Sequence, residues 1–314
     1  MSVRTKVLPA PDSSISDGRA LTDARTTLAD LKELLKPGIS LFVVVVAAAG
    51  YLVGLGAVPI DLSTLVALLV GVFLTAGGSG ALNHLIERKH DAKMRRTQGR
   101  PLPGERIGLG FVAVYGTALD LVGLSILCIW VNHLTAGLAL ITSLSYLFVY
   151  TPLKRISAWN TLVGAVPGAL PALGGFAAAT NGVGAGGWAL FAVIFLWQLP
   201  HFYALAWMYR EDYARGGFRM LPGIDPTGAT TATSALGATL LLLVAGVVPT
   251  ALGLTGLVYF FGMLALGVWF TLPAFAFFRE PSTRSARRLL LASILYVPVF
   301  FTLVVVDYLL RLYF

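Results

Sequence analysis

Asn83, Glu87 and Asp91 stand at i, i+4 and i+8. On a helix each step of four turns the chain by about 400°, so the three side chains span about 80° of one face. Oxygen ligands arrayed this way suit Mg²⁺, which takes one or two carboxylates and leaves its other positions to water and substrate phosphate. Lys93, Arg95, Arg96 and Arg100 follow directly and offer charge and donor forks for phosphate oxygens. Acids for a metal beside bases for an anion are what a diphosphate–Mg²⁺ site requires. The same spacing also fits a solvated helix end whose Glu and Arg side chains pair on the surface. Acids are scarce in this chain, 15 in 314 residues, and their position at the mouth of an apolar helix favours the functional reading.

The elements that must position these residues are membrane helices. Hydrophobic residues make up 57% of the chain and charged ones 12%, against about a quarter charged in a soluble domain. Mean hydropathy is +0.80. The net charge of +8 lies in a few short stretches, which excludes a nucleic-acid footprint. A single cysteine, Cys128, excludes a disulfide framework or a cysteine metal site. The N-terminus lacks the apolar core of a signal peptide and holds acids that a transit peptide avoids. A bacterial cytoplasmic membrane is the expected address.

Nine apolar stretches reach the roughly 20 residues needed to cross a hydrocarbon core, near 38–58, 62–84, 107–129, 133–151, 159–180, 187–208, 232–253, 256–278 and 289–312. Uninterrupted apolar runs predict an all-α polytopic fold rather than a barrel. All but one of the 23 basic residues fall on one side of these spans, the exception being Arg311. The positive-inside rule then places the N-terminus in the cytoplasm and the C-terminus outside. Residues 1–24 are expected to be a disordered tail, and 25–314 a single intramembrane domain. Leu28, Leu31, Leu34 and Leu35 recur at helical spacing, which predicts an interfacial helix over 25–36, ended by Pro37-Gly38. Asp307 and Arg311, at i and i+4, are expected to pair.

The stretch Asn83-His84-Leu85-Ile86-Glu87 through Asp91, continued by Met94-Arg95-Arg96-Thr97-Gln98-Gly99-Arg100-Pro101-Leu102-Pro103, resembles the first signature of protohaem IX farnesyltransferases. These belong to the UbiA-type intramembrane prenyltransferases, whose general pattern is N-x-x-x-D-x-x-x-D; Glu87 in place of the first Asp marks the haem branch. The resemblance continues through Lys36-Pro37, Tyr150-Thr151-Pro152-Leu153-Lys154-Arg155, the stretch Asn160 to Ala169, and Trp197-Gln198-Leu199-Pro200-His201-Phe202. It covers roughly residues 30–312. It implies nine helices around a central cavity open to the cytoplasmic side.

The resemblance also implies a second acidic motif opposite the first. Tyr209-Arg210-Glu211-Asp212-Tyr213 occupies its place, with Asp212 the expected metal contact. Relatives often carry D-x-x-x-D here, whereas Met208 and Gly216 flank Asp212 in this chain, which leaves the number of metal ions open. The plainer alternative is that Glu211 and Asp212 pair with Arg210 and Arg215. His201 precedes Asp212 by eleven residues, about three turns and 16 Å of rise, so an unbroken helix puts both on nearly one face. A buried histidine is commonly a bonded core residue, but intramembrane ionisable groups are usually functional. The resemblance points His201 at the porphyrin, as an iron ligand or a proton carrier. Asp120, inside the third span, either lines the cavity or bonds between helices. His84, His90 and His133 are set aside.

By this resemblance the substrates are farnesyl diphosphate and haem B, the latter as substrate and not cofactor, with Mg²⁺ carried by the diphosphate. Asn83, Glu87, Asp91 and Asp212 are the expected catalytic and metal residues. Lys93, Arg96, Arg100, Lys154 and Arg210 are the expected diphosphate cations. The product is haem O for haem–copper terminal oxidases, with haem A synthase or oxidase assembly factors as conceivable partners. Two other readings stay open: a related enzyme prenylating a quinone precursor or chlorin, and a membrane transporter, which Asp120 alone favours.

Overall fold

The computed structural model describes residues 28–314. The expected tail 1–24 and the first residues of the interfacial helix lie outside that range. Among the described residues, nine helices are long and apolar enough to cross a membrane, at the positions the apolar runs predict. After a short helix α1 (28–34) come α2 (Pro37–Leu55), α3 (Leu62–Asp91), α4 (Leu109–Trp130) and α5 (His133–Leu144). A π-helical turn, Ser145–Tyr150, leads into α6 (Thr151–Ile156), which completes the fourth span. Then follow α7 (Asn160–Thr180), α8 (Ala185–Met208), the short α9 (Arg210–Arg215) and α10 (Leu221–Ile224), and the last three spans α11 (Ala229–Ala251), α12 (Leu257–Arg279) and α13 (Thr283–Tyr313).

Consecutive spans pack as neighbours, and α13 returns against α2 to close a ring. Helices in lipid associate through close backbone approach at small residues. Between α2 and α7, the space a Cβ would need at Gly50 is taken by the carbonyl of Ala172, and that at Gly175 by the carbonyl of Ala47. The α3–α4 contact repeats the device with Gly71, Gly78, Gly116 and Gly123. The ring encloses a cavity of about 1390 Å³ lined from α2, α3, α5, α7, α8 and α13, while α4, α11 and α12 stand behind it.

Three local features differ from expectation. In α1, Leu34 is fully buried against Ala81, Leu102 and Val112, with Leu31 and Leu35 packed alongside. Asp30 is buried and receives Arg106 at 2.8–3.1 Å. Leu31, Leu34 and Leu35 thus meet protein where lipid was expected, while Leu28 stays exposed. Asp307 and Arg311 do not pair: Asp307 accepts the Gly256 N–H at 2.8 Å and Arg311 donates to the Leu254 carbonyl. Both cap the turn before α12, where unpaired backbone groups cost more than the side chains gain from each other. Finally, the fourth span contains a π turn. Pro152 has no N–H to offer the preceding turn, and the carbonyl of Tyr146 takes the Thr151 N–H and hydroxyl instead.

Candidate functional site

Helix α3 runs past the expected membrane boundary to Asp91, so the whole ladder is helical. Asn83, Glu87 and Asp91 line the cavity and are almost wholly buried from outer solvent. Each meets a cation from a different segment. Lys36 Nζ donates to Asn83 Oδ1 at 2.5 Å, Lys154 to Glu87 at 2.8 Å, and Arg100 to Asp91 at 2.8 Å. Asn83 also donates to Thr151 at 2.9 Å. Lys154 sits 4.5 Å from the Tyr150 ring centroid, and Arg96 lies 5.2 Å over Tyr209. The π turn sets Tyr146 and Tyr150 against each other at 5.7 Å on the cavity wall.

The sequence-predicted cations divide. Arg96, Arg100 and Lys154 line the cavity with the ladder. Lys93 is exposed and outside the lining, and Arg210 stacks on Trp207 at 4.9 Å, also outside it. Asp212 is likewise absent from the lining. The helix does not run unbroken from His201, because α8 ends at Met208 and Tyr209 leaves helical geometry. His201 and Asp212 therefore do not share a face. Asp212 pairs with Arg215 and accepts the backbone N–H groups of Arg95 and Arg96 at 3.2 Å. Desolvation works against its charge, but these hydrogen bonds prevail and hold its carboxyl below the usual range. It ties α9 to the loop after α3 beside the ladder. His90 reinforces the tie by bonding the Gly216 carbonyl at 2.7 Å.

Deeper, Phe42, Trp197 and His201 stack in series at 5.0 and 5.3 Å. His201 Nδ1 lies 2.8 Å from Ser293 Oγ, and that hydroxyl donates to the Leu290 carbonyl at 2.6 Å. A serine has one proton, so Ser293 can only accept from the imidazole. The proton is on Nδ1, and Nε2 carries a lone pair on a ring that lines the cavity.

Several residues escaped sequence reasoning. Lys36 is one. Its φ of 48°, rare for a side chain other than glycine, turns the chain between α1 and α2 at the ladder; Lys36-Pro37 carried the resemblance but no assigned role. His84, set aside earlier, is buried on the cavity wall with neither ring nitrogen bonded among the described residues. Tyr146, Tyr213 and Ser293 carry no local signal; only the fold brings them here.

The oxygen donors fit Mg²⁺ chemically, as one amide and two carboxylates on a single wall. Among the described residues no group of three His, Cys, Asp or Glu side chains converges to hold a metal alone. A metal at this mouth needs substrate oxygens as well, as Mg²⁺ commonly does.

Residues 42–304 match the UbiA prenyltransferase family. A protohaem IX farnesyltransferase of Salinibacter ruber is 47% identical over 275 residues, covering 88% of this chain and 97% of that one. Among solved structures, a digeranylgeranylglyceryl phosphate synthase aligns with a TM-score of 0.74 at 17% identity over 90% of this chain and 98% of its own. A UbiA homologue of Archaeoglobus fulgidus bound to DMAPP and Mg²⁺ aligns at 0.64 and 16% identity, over 88% and 99%. The match to nearly the whole Salinibacter relative and the family match over residues 42–304 agree: this chain belongs to the UbiA prenyltransferase family, in its protohaem IX farnesyltransferase branch.

Proposed function

We infer that this membrane protein transfers the farnesyl group of farnesyl diphosphate to a vinyl group of haem B, giving haem O and diphosphate. One observation carries the reading: a single cavity joins a mouth of paired carboxylates and cations to an apolar interior with an imidazole ready for a ligand.

The leaving group of an allylic diphosphate carries heavy negative charge. Mg²⁺ bound with it supplies Lewis-acid stabilisation as the C–O bond breaks. The chain's own part is an exchange of partners. Lys36, Lys154 and Arg100 now hold Asn83, Glu87 and Asp91; with a diphosphate bound they would turn to its phosphate oxygens, and Asn83, Glu87 and Asp91 would be the residues to hold the metal. Arg96 completes the clamp, and His84 has an N–H to offer the same anion. Fixed donors of this kind are among the largest contributors to such a reaction. Asp212 acts by holding the Arg95–Arg96 backbone in place, and through it the Arg96 guanidinium.

The farnesyl chain lies in the apolar part of the cavity, away from water. Burying its fifteen carbons contributes up to about 12 kcal/mol gross at roughly 0.8 kcal/mol per carbon, reduced by chain ordering. His201 Nε2 would hold the haem iron, with Trp197 and Phe42 stacked along the imidazole to fix its ring. The basic end faces the cytoplasm of a bacterial inner membrane, following the charge asymmetry. The test is to incubate the purified protein with haem B, farnesyl diphosphate and Mg²⁺ and to weigh the porphyrin. A gain of the hydroxyfarnesyl increment is expected. Gain on a hydroxybenzoate or naphthoate with none on haem overturns the assignment.

A further inference from the structure

Asp120 is a carboxylic acid well inside a membrane-crossing helix, α4, which contributes nothing to the cavity lining. Ionisable groups at such positions are rare and usually functional. Ser143 on α5 donates to Asp120 Oδ1 at 2.9 Å, and Ser79 on α3 donates to Ser143 at 2.9 Å. Both serines line the cavity.

The direction of this chain is fixed by counting protons. Ser143 gives its single hydroxyl proton to Asp120, so the Ser79–Ser143 bond uses the proton of Ser79. Ser79 Oγ is left with lone pairs at the cavity wall, open to a donor from within the cavity. The nearby hydroxyls of Thr75, Thr135 and Thr142 line the same wall, but each donates to a main-chain carbonyl, of Val72, Gly174 and Leu138. Of these hydroxyls, the serine pair alone leads to an ionisable group.

The reaction inferred above has an unmet need that such a chain fills. The vinyl π electrons form the new C–C bond to farnesyl C1 while the C1–O electrons leave with diphosphate. The cation left beside the porphyrin ring is captured by a water, whose oxygen forms the new C–O bond and must then lose a proton. We propose that this water docks on Ser79 and that its proton passes through Ser79 and Ser143 to the Asp120 carboxylate. Each serine gives up one proton and gains one, so the net change is one proton on Asp120, returned to solvent after product leaves. Ala76, Leu138 and Ala139 line the cavity nearby, which confines water to the serine and keeps it from the farnesyl cation formed first. This inference rests on the haem-farnesylating reading.

Asp120→Asn retains an oxygen to accept from Ser143 but cannot take up a proton at that depth. The purified variant is given haem B, farnesyl diphosphate and Mg²⁺, and its porphyrin products are separated by mass. Without Asp120 to take its proton the captured water is lost again, and the cation gives up a C–H proton to the released diphosphate, leaving an alkene lighter by one water. The hydrated fraction is expected to fall at least about tenfold, in line with the loss of one proton-transfer partner, with the haem absorption spectrum unchanged. Ser143→Ala should reproduce the shift, and Ser143→Thr should restore the hydrated product. Ser79→Ala serves the same purpose if Asp120→Asn does not fold. A wild-type ratio of hydrated to dehydrated product in Asp120→Asn (or in Ser79→Ala, if it stands in) and in Ser143→Ala overturns the proposal, including when total turnover drops, because a packing defect lowers both products alike. Failure of the parent reading is distinct: the unaltered protein then adds no mass to haem.

Discussion

Lys36 combines two costs that a structural residue rarely carries together. Its left-handed backbone disfavours a side chain by roughly 1–2 kcal/mol. Burial pushes its ammonium down to about 7, against the opposing pull of Glu87. Near neutral pH the group is therefore balanced between charged and neutral, and an arriving diphosphate restores the charge. The sign follows directly: Lys36 is protonated below pH 7 and loses the proton above it, so donor affinity falls as pH rises through 7. Binding of farnesyl diphosphate at fixed Mg²⁺ should weaken toward about tenfold per pH unit above 7, each unit being worth about 1.36 kcal/mol. Lys36→Met should bind more weakly and lose the part of the slope that exceeds the ligand's own titration. Equal slopes in the two proteins would remove Lys36 from the clamp.

Ser293 invites a second test at the same scale. Ser293→Ala frees the imidazole to adopt either tautomer, and second-shell partners of this type typically change ligand affinity by about 10–100-fold. Haem titration should show weaker binding and a shifted Soret band, with Ser293→Thr close to the unaltered protein. An identical spectrum and affinity in Ser293→Ala counts against His201 as the iron ligand. Both residues explain what was legible. The ladder could be read because its three members share one helix, whose periodicity is local. Lys36 meets Asn83 across 47 residues and His201 meets Ser293 across 92, and no spacing rule spans such separations. The family resemblance pointed to Asp212 as a metal contact, but its backbone partners in the other loop were invisible until the chain folded.

Among the elements, the nine spans were readable from length and apolarity alone, whereas their irregularities were not. The π turn at Ser145–Tyr150 and the break at Tyr209 are small departures that decide which side chains reach the cavity. Interfaces are also written in glycine. A Cβ at Gly123 would lie 2.7 Å from the Gly71 carbonyl oxygen and 2.8 Å from the Thr75 backbone nitrogen. Neither can yield without moving α3 from α4. Gly123→Val should destabilise the protein by about 1–3 kcal/mol or more, read as an earlier thermal transition in detergent. Gly110, on the same helix with open space around it, is the control, and Gly110→Ala should be neutral or gain up to about 1 kcal/mol from helix propensity. Equal effects at both positions would mean that α3 and α4 do not depend on backbone approach.

At the scale of the whole molecule, the chemistry and the membrane must agree on a side. The ladder, its cations and both long loops stand at one end, while Asn181 and Gly182 turn the chain at the other. A diphosphate cannot cross a bilayer unaided, so the charged mouth must face the compartment that supplies it. The positive-inside rule predicts that compartment independently, as the cytoplasm. The two arguments can be tested together with the single native cysteine removed as Cys128→Ser. Gln98→Cys lies exposed in the loop after the ladder, and Asn181→Cys lies exposed at the far turn. A membrane-impermeant maleimide applied to intact spheroplasts should label Asn181→Cys and spare Gln98→Cys until the membrane is opened. Labelling of Gln98→Cys in sealed cells would invert the molecule and leave its diphosphate site facing a compartment without donor. With the expected pattern, farnesyl diphosphate should also slow labelling at position 98 in opened membranes, because Arg96 and Arg100 on either side of it close on the anion.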